Sequence, residues 1–239
     1  MTDELTFIAS EVEVIRGEDA LLRLSTVNDA RYANEQGEVL AVDGERWHTA
    51  QQYERDAWVH HNNLVTSARN EDWAAAFGYY SIMPDYLGDV IELGAGPFTN
   101  ARLLIEGRTW HTMTLIDPLI LDYRVMAHCP YKHGMLGGRP VTLINRAIED
   151  WQPAQQYDTL IMVNTLHHCR DAFLVFDRIW RALKPGGWLV WGEWPNETDP
   201  HKVYNAGHPI TPRADTLESF MSKFEEVYRH DWFMIGRAR

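Results

Sequence analysis

The sequence contains few cysteines, no long apolar run and no excess of basic residues. Its two cysteines, Cys129 and Cys169, form no C-x-x-C pair, so the chain has neither a disulfide framework nor a zinc-finger spacing. No apolar run approaches the ~20 residues of a membrane-spanning helix, and the acidic start MTDELTFIAS does not resemble a signal peptide. We therefore expect a cytoplasmic protein with reduced cysteines and no membrane partner.

The charge balance is strongly acidic. The chain has 34 Asp and Glu residues against 22 Lys and Arg residues, which gives a formal net charge of −12. Such a surface repels phosphate backbones, because nucleic-acid binding depends on clustered Lys and Arg side chains. A nucleic-acid partner is therefore disfavoured. The hydrophobic content of 45% is sufficient for one substantial core.

The residue pattern predicts three regions along the chain. Residues 1–46 contain short strand patterns separated by polar turns, and we interpret them as an N-terminal extension. Residues 47–86 are rich in helix formers and aromatic side chains, which favours a helical cover. Residues 87–239 alternate strand and helix patterns, which is typical of a parallel sheet with helices on both faces. This last region is the expected catalytic core.

Five strand patterns mark this core, and ligands of such sheets bind beyond the carboxyl ends of the strands. Thr99 is the predicted N-cap of the helix after the first strand, and Pro118 is expected to open the helix after the second. The five strand patterns are DVIEL, HTMTLID, VTLIN, YDTLIMVNTL and WLVWGEW.

The segment VIELGAGPFT places Gly94 and Gly96 at the carboxyl end of the first strand. Glycines there let a ligand approach the backbone, and the following helix start offers N–H groups. Asp117 ends the second strand, where a carboxylate can accept both hydroxyls of a ribose. Each signal also has a purely structural explanation, as a tight turn or a helix cap. A nicotinamide-binding loop is disfavoured, because Thr99 stands where G-x-G-x-x-G has its third glycine.

Five motifs taken together resemble the class I S-adenosylmethionine-dependent methyltransferases. They are VIELGAGPFT, LIDP, AIEDW, YDTLIMVNTLHHCRD and RIWRALKPGGWLVW, in the family's order. The resemblance covers residues 47–239 and implies a Rossmann-like three-layer αβα sandwich. Its sheet would be mostly parallel and seven-stranded, with an antiparallel C-terminal strand. The implied cofactor is S-adenosyl-L-methionine.

The resemblance also implies the cofactor contacts. Glu92 would lie beneath the glycine loop, and the loop itself would flank the methionine part of the cofactor. Asp117, after the second strand, would hold the ribose. The sequence departs from the family at Phe98, where a third glycine is common, and at Arg146-Ala147, where an Asp-Ala pair is common. Ile148 and Glu149 would lie near the adenine, Asn164 beside the sulfonium, and Tyr53 in the site wall. The other predicted cofactor-binding residues are Glu92, Gly94, Ala95, Gly96, Asp117 and Pro118.

Methyl transfer from a sulfonium releases a neutral leaving group, so the protein mainly aligns the reacting atoms, and a base is needed only if the acceptor must lose a proton. His168 is the predicted base, because it falls just past the carboxyl end of the fourth strand. His208, in the loop NAGHPITPRADT, is the second candidate, and the other candidates are His167, His201 and Glu193. The alternative is that His167 and His168 only hydrogen-bond backbone at the strand end, and that His208 is an ordinary exposed loop residue. No H-E-x-x-H or similar compact spacing occurs, so we expect no metal.

The expected activity is methyl transfer to a small-molecule substrate, through a hydroxyl of a metabolite or sugar. This follows from the aromatic and histidine residues in segments 47–86 and 193–214, which suit a small organic acceptor. The elements before residue 87 and the loop 193–214 are expected to form a movable cover over the cofactor. Several alternatives stay open: a protein acceptor, transfer to carbon or nitrogen, a catalytically silent cofactor-binding subunit, and homodimer formation.

Overall fold

A computed structural model describes residues 32–33, 38–60, 78–195 and 206–239 of the chain. The strands are β1 (Tyr32–Ala33), β2 (Val39–Ala41), β3 (Asp89–Leu93), β4 (Thr112–Ile116), β5 (Met135–Leu136), β6 (Arg139–Pro140), β7 (Thr142–Ile144), β8 (Tyr157–Val163), β9 (Leu183–Gly192), β10 (Phe224–His230) and β11 (Phe233–Ala238). The helices are α1 (Gly44–Arg55), extended by a π-helical turn (Asp56–His60), α2 (Ala101–Leu104), α3 (Ile120–Tyr123), α4 (Ala172–Ala182) and α5 (Ala214–Met221). Shorter 3-10 turns lie at Gly78–Ile82, Ile148–Asp150 and Leu166–His168.

Seven strands form the central sheet in the order β10-β11-β9-β8-β3-β4-β7. The five strands from β7 to β9 run parallel, while β11 lies antiparallel to both β9 and β10. This arrangement confirms the predicted mostly parallel sheet with an antiparallel C-terminal strand. Because neighbouring parallel strands end at the same edge, the carboxyl ends of β3, β4 and β8 lie side by side.

The sheet is apolar on both faces because helices and loops cover both of them. On one face, Phe176 of α4 stacks on Phe220 of α5 with 4.3 Å between ring centroids, and Trp191 of β9 packs against Phe220. On the other face, Leu104 of α2 and Tyr131 are completely buried. Burial of each such side chain contributes about 1.5–3 kcal/mol. These layers agree with the predicted three-layer sandwich.

The prediction that Thr99 caps the helix after the glycine loop is wrong. The helix begins at Ala101, and Thr99 adopts a left-handed backbone with φ +39°. The carboxylate of Glu92 replaces the cap, because it accepts from the backbone N–H groups of Asn100 at 2.7 Å and Ala101 at 3.1 Å. A buried acid from the preceding strand therefore satisfies the helix start.

Residues 38–43 pack against the loops of the core. The N–H of Thr211 donates to the carbonyl of Val39 and the N–H of Val42 donates to the carbonyl of Arg170, both at 2.8 Å. The strand pattern at 5–15, the helix pattern at 61–77 and residues 196–205 of the cover loop lie outside the described residues. Within the described part of the chain, no helix combines the length and apolar character needed to cross a membrane.

Candidate active site

The glycine loop follows β3 and turns sharply at the edge of the sheet. Gly94 has φ +72° and Gly96 has φ +55°, which are left-handed conformations that glycine adopts without steric cost. A Cβ atom at Gly94 would lie 2.1 Å from the side chain of Thr165, whereas nothing lies within 4 Å of one at Gly96. Gly94 is therefore required for packing, and Gly96 presents bare backbone to open space.

Glu92 holds this loop from beneath. Besides the two backbone N–H groups at the start of α2, its buried carboxylate accepts a hydrogen bond from the hydroxyl of Thr99. Burial raises the pKa of Glu92 to about 7, while these hydrogen bonds act in the opposite direction. The hydroxyl of Tyr131 donates to the carbonyl of Gly96. Protein groups therefore fix the loop from both sides.

Asp117 lies beside the loop, immediately after β4. Its Oδ2 accepts from the N–H of Gly96 at 2.9 Å, and its Oδ1 accepts from the N–H of Leu119 at 2.8 Å. Burial raises the pKa of Asp117 to about 6, and the negative charge of Glu54 adds to the rise. Each carboxylate oxygen has two acceptor directions, so both oxygens retain capacity for ribose hydroxyls. Pro118, which follows, is half-buried.

The predicted adenine residues lie on the 3-10 turn after β7. Ile148 packs into the hydrophobic core. The carboxylate of Glu149 is buried, which raises its pKa, and it accepts from the N–H groups of Arg170 at 2.6 Å and Asp171 at 3.2 Å. The side chain of Glu149 therefore serves the loop before α4, so an adenine contact at this turn would come from the backbone.

A second buried acid shapes the turn after β8. Asn164 has φ +54°, an uncommon conformation for a residue other than glycine. The N–H groups of Thr165 and Leu166 donate to Oε1 of Glu193 at 2.7 and 3.0 Å, and Oε2 of Glu193 lies 3.4 Å from Nδ1 of His167. Sequence reasoning missed this role of Glu193. Its signal is an acid placed directly after the apolar run of β9.

His168 and His208 meet beside the end of β8, with 4.6 Å between ring centroids. Nδ1 of His168 lies 3.0 Å from the carbonyl oxygen of Gly207 and 3.5 Å from Oε1 of Glu54. Because a carbonyl only accepts, Nδ1 carries the proton and the lone pair lies on Nε2. Burial lowers the pKa of His168 to about 4, so the ring is neutral at pH 7. The structure thus brings together both predicted catalytic histidines and adds Glu54, which the sequence did not indicate.

α1 lies over this cluster and is tied to it by side chains. Trp47 Nε1 and Gln51 Nε2 both donate to the carbonyl oxygen of His168, at 3.1 and 3.0 Å. Arg46 donates to the carbonyl oxygen of Ala206 at 2.7 Å, in the loop that carries His208. Three chain segments far apart in sequence therefore converge at the ligand edge of the sheet.

The end of α1 and the π-helical turn reach the glycine loop. Trp58 packs edge-on against Phe98 with 5.7 Å between centroids, and its Nε1 donates to Oε2 of Glu54 at 2.9 Å. Arg55 pairs with Asp122 at 2.8 Å. Tyr53 is 48% exposed, so it lies on the surface of α1, and its role in the site wall stays a prediction.

Comparison with known proteins identifies the family. Solved structures with a similar fold include the N-methyltransferase NodS from Bradyrhizobium japonicum WM9 in complex with S-adenosyl-l-homocysteine, at 16% identity and TM-score 0.60, covering 80% of this chain and 98% of that one. They also include DhpI in complex with SAH, at 18% identity and TM-score 0.54, covering 81% and 96%. No curated protein matches the sequence. Residues 65–225 match the family described as a methyltransferase domain, and the chain belongs to that family, as its motifs predicted.

Proposed function

We propose that this protein transfers the methyl group of S-adenosyl-L-methionine to a hydroxyl of a small molecule such as a metabolite or sugar. One observation carries the proposal. The glycine loop, Asp117 and the His168–His208 pair follow neighbouring strands of the sheet and lie at the same edge. That edge is where α/β sheets bind their ligands. The proposed cofactor cradle and the proposed proton acceptor therefore lie at one edge of the sheet.

The residues present fit this cofactor. The bare backbone at Gly96 opens onto space that any side chain there would fill, and the carboxylate of Asp117 stands beside it. When bound, the cofactor supplies a methyl group on a positively charged sulfur. The proposed contacts are the loop Gly94, Ala95 and Gly96 for the methionine part, with Glu92 as its support, Asp117 and Pro118 for the ribose, Ile148 and Glu149 for the adenine, Asn164 for the floor, and Tyr53 for the wall.

His168 is the proposed proton acceptor. Its Nδ1–H is committed to the carbonyl of Gly207, which leaves the lone pair of Nε2 to receive a proton. A hydroxyl acceptor has a proton to lose when it attacks, whereas a neutral amine attacks through its own lone pair. A neutral His168 ring therefore favours a hydroxyl acceptor. His208 packs against the ring and is the second candidate.

The surroundings favour a small acceptor in the cytoplasm. The net charge of −12 opposes binding of a nucleic acid. Cys129 and Cys169 are free and buried, as is usual in a reducing compartment. Trp47 and Gln51 of α1 bind the carbonyl oxygen of His168, so the acceptor would lie beside this helix at the carboxyl edge of the sheet.

Transfer of labelled methyl tests the proposal. The purified chain is incubated with cell extract and methyl-labelled S-adenosylmethionine, and the products are identified by mass spectrometry. We expect a labelled low-mass product carrying a new methyl ether, and less of it with the Asp117→Ala variant at a cofactor concentration below saturation. Cofactor binding without any labelled product would identify a catalytically silent subunit. A labelled amine or carbon centre would correct the acceptor.

A pair of substitutions tests the base. His168→Gln should lower turnover by ~10²-fold or more with little change in cofactor affinity, because only proton transfer is lost. His208→Gln tests the second candidate in parallel. Full turnover of His168→Gln together with loss in His208→Gln would exchange the two roles.

A further inference from the structure

Three potential metal ligands lie together at the acceptor side of the site. Glu54 on α1, His168 after β8 and His208 before α5 each place one ligand atom within 4.8 Å of the others. They come from three segments that the fold brings together, which is why a search for compact ligand spacing in the sequence did not find them. We propose that Glu54, His168 and His208 form a binding site for a divalent first-row transition metal ion.

The donor set determines which cation fits. Two imidazoles and one carboxylate suit Zn²⁺, Fe²⁺, Co²⁺ or Mn²⁺, whereas Mg²⁺ and Ca²⁺ prefer sites built from oxygen ligands. Three protein ligands also leave a coordination position open, as in catalytic zinc sites. Ligand atoms at metal–ligand distances of about 2.0–2.1 Å in a tetrahedral site lie roughly 3.3 Å apart. Because the three atoms here lie within 4.8 Å of one another, the side chains need to close by at most about 1.5 Å.

The groups around the three ligands already orient them. Nδ1 of His168 donates to the carbonyl of Gly207, which is the kind of contact that fixes the tautomer of a metal-ligating histidine. Trp58 donates to one oxygen of Glu54 at 2.9 Å. The side chains of Glu54 and His168 are 14% and 21% exposed, so an ion can enter from solvent.

This inference rests on the proposed function only for the group that binds at the open coordination position of the cation. There the cation would bind the acceptor hydroxyl oxygen and lower its pKa, so that its proton leaves to water before methyl transfer. His168 would then be a ligand, and the cation would replace it in promoting ionisation of the hydroxyl. The two roles of His168 exclude each other on one protein molecule, so metal dependence of the reaction separates them.

Calorimetric titration tests the site directly. The untagged full chain is stripped with EDTA and titrated with Zn²⁺, and Co²⁺ is titrated separately while its visible absorption is recorded. We expect one ion per chain, and binding weakened by more than about 100-fold in Glu54→Gln and in His208→Gln. His230→Gln is the control, because His230 is exposed and lies 3.7 Å from the carboxylate of Asp231, outside the proposed ligand set. The thermal midpoint of each variant shows that it is folded.

Binding that is equal in wild type, Glu54→Gln and His208→Gln would overturn the site. So would the absence of Zn²⁺ binding by the folded wild-type chain. Full methyl transfer by the stripped protein in EDTA would overturn the role of the cation in the reaction and leave the proposed function intact. Binding of one ion without any methyl transfer would support the site while overturning the proposed function.

Discussion

Alanine substitutions at Gly94 and Gly96 should separate folding from cofactor binding. Both glycines have a left-handed backbone, and an alanine in that conformation costs roughly 1–2 kcal/mol of stability. At Gly94 the added methyl would also lie 2.1 and 2.4 Å from Cγ2 and Oγ1 of Thr165. Relief of such an overlap in a packed interior costs roughly 1–3 kcal/mol more. At Gly96 no atom lies within 4 Å, so the conformational cost stands alone.

The conformational cost and the steric overlap predict different losses of stability for the two variants. The free energy of unfolding should fall by about 2–5 kcal/mol in Gly94→Ala and by about 1–2 kcal/mol in Gly96→Ala. At roughly 2–4 °C per kcal/mol for a domain of this size, the midpoints drop by about 4–20 °C and about 2–8 °C. Binding should show a separate effect, because the methyl at Gly96 fills space that the proposed cofactor needs. We expect the affinity of the Gly96→Ala variant for S-adenosylhomocysteine to fall roughly 10- to 100-fold.

The assay combines thermal unfolding with calorimetric titration at a temperature where every variant is folded. Gly107→Ala is the matched control, because exposed Gly107 has φ +71° and no atom within 4 Å of its added Cβ. It should show the conformational cost without any change in affinity. Equal destabilisation of Gly94→Ala and Gly96→Ala, or wild-type affinity in Gly96→Ala, would refute the reasoning.

Three further predictions concern Asp117, Glu92 and the proposed cover helix α1. Asp117→Ala should weaken cofactor binding by about 10-fold or more in calorimetry, because it removes a charged acceptor, while Asp122→Ala should not. Burial raises the pKa of Glu92 from 4.5 to about 7, so the folded state holds this proton more tightly and stability falls as pH rises through that range. Relative to Glu92→Gln, wild type should lose roughly 3 kcal/mol between pH 4.5 and 7.5 in urea unfolding, and parallel curves would contradict this. Finally, S-adenosylhomocysteine should slow hydrogen exchange in residues 44–58 and 206–210, and protection confined to 92–117 would show that α1 is no cover.

The strands of the core could be predicted from the sequence because their signal is local. DVIEL is buried on both faces in β3, and Gly94 and Gly96 follow it at the ligand edge as expected. The family's motif order then supplied the strand order, which no single motif contains. Asp117 also lies next to the glycine loop as its position after β4 predicts.

The contacts that the sequence did not reveal are those between distant segments. Glu54 approaches His168 only because α1 lies on the turn after β8, and helix propensity says nothing about where a helix packs. The error at Thr99 has a similar cause. A Thr before a helix is an ordinary cap in isolation, but here buried Glu92 takes that role, and Thr99 donates to it.

Three buried glutamates support the loops around the site in the same way, because each accepts hydrogen bonds from two consecutive backbone N–H groups. Glu92 receives the N–H groups of residues 100 and 101, Glu149 those of 170 and 171, and Glu193 those of 165 and 166. A hydrogen bond within the protein contributes about 0.5–1.5 kcal/mol net, and leaving a buried acceptor unpaired costs more, so each pair fixes its loop from inside the core. α1, in contrast, is tied to the His168 turn through two side chains that share one carbonyl oxygen. We therefore expect the proposed cofactor loops to stay in place and α1 to be the part that moves as a substrate enters.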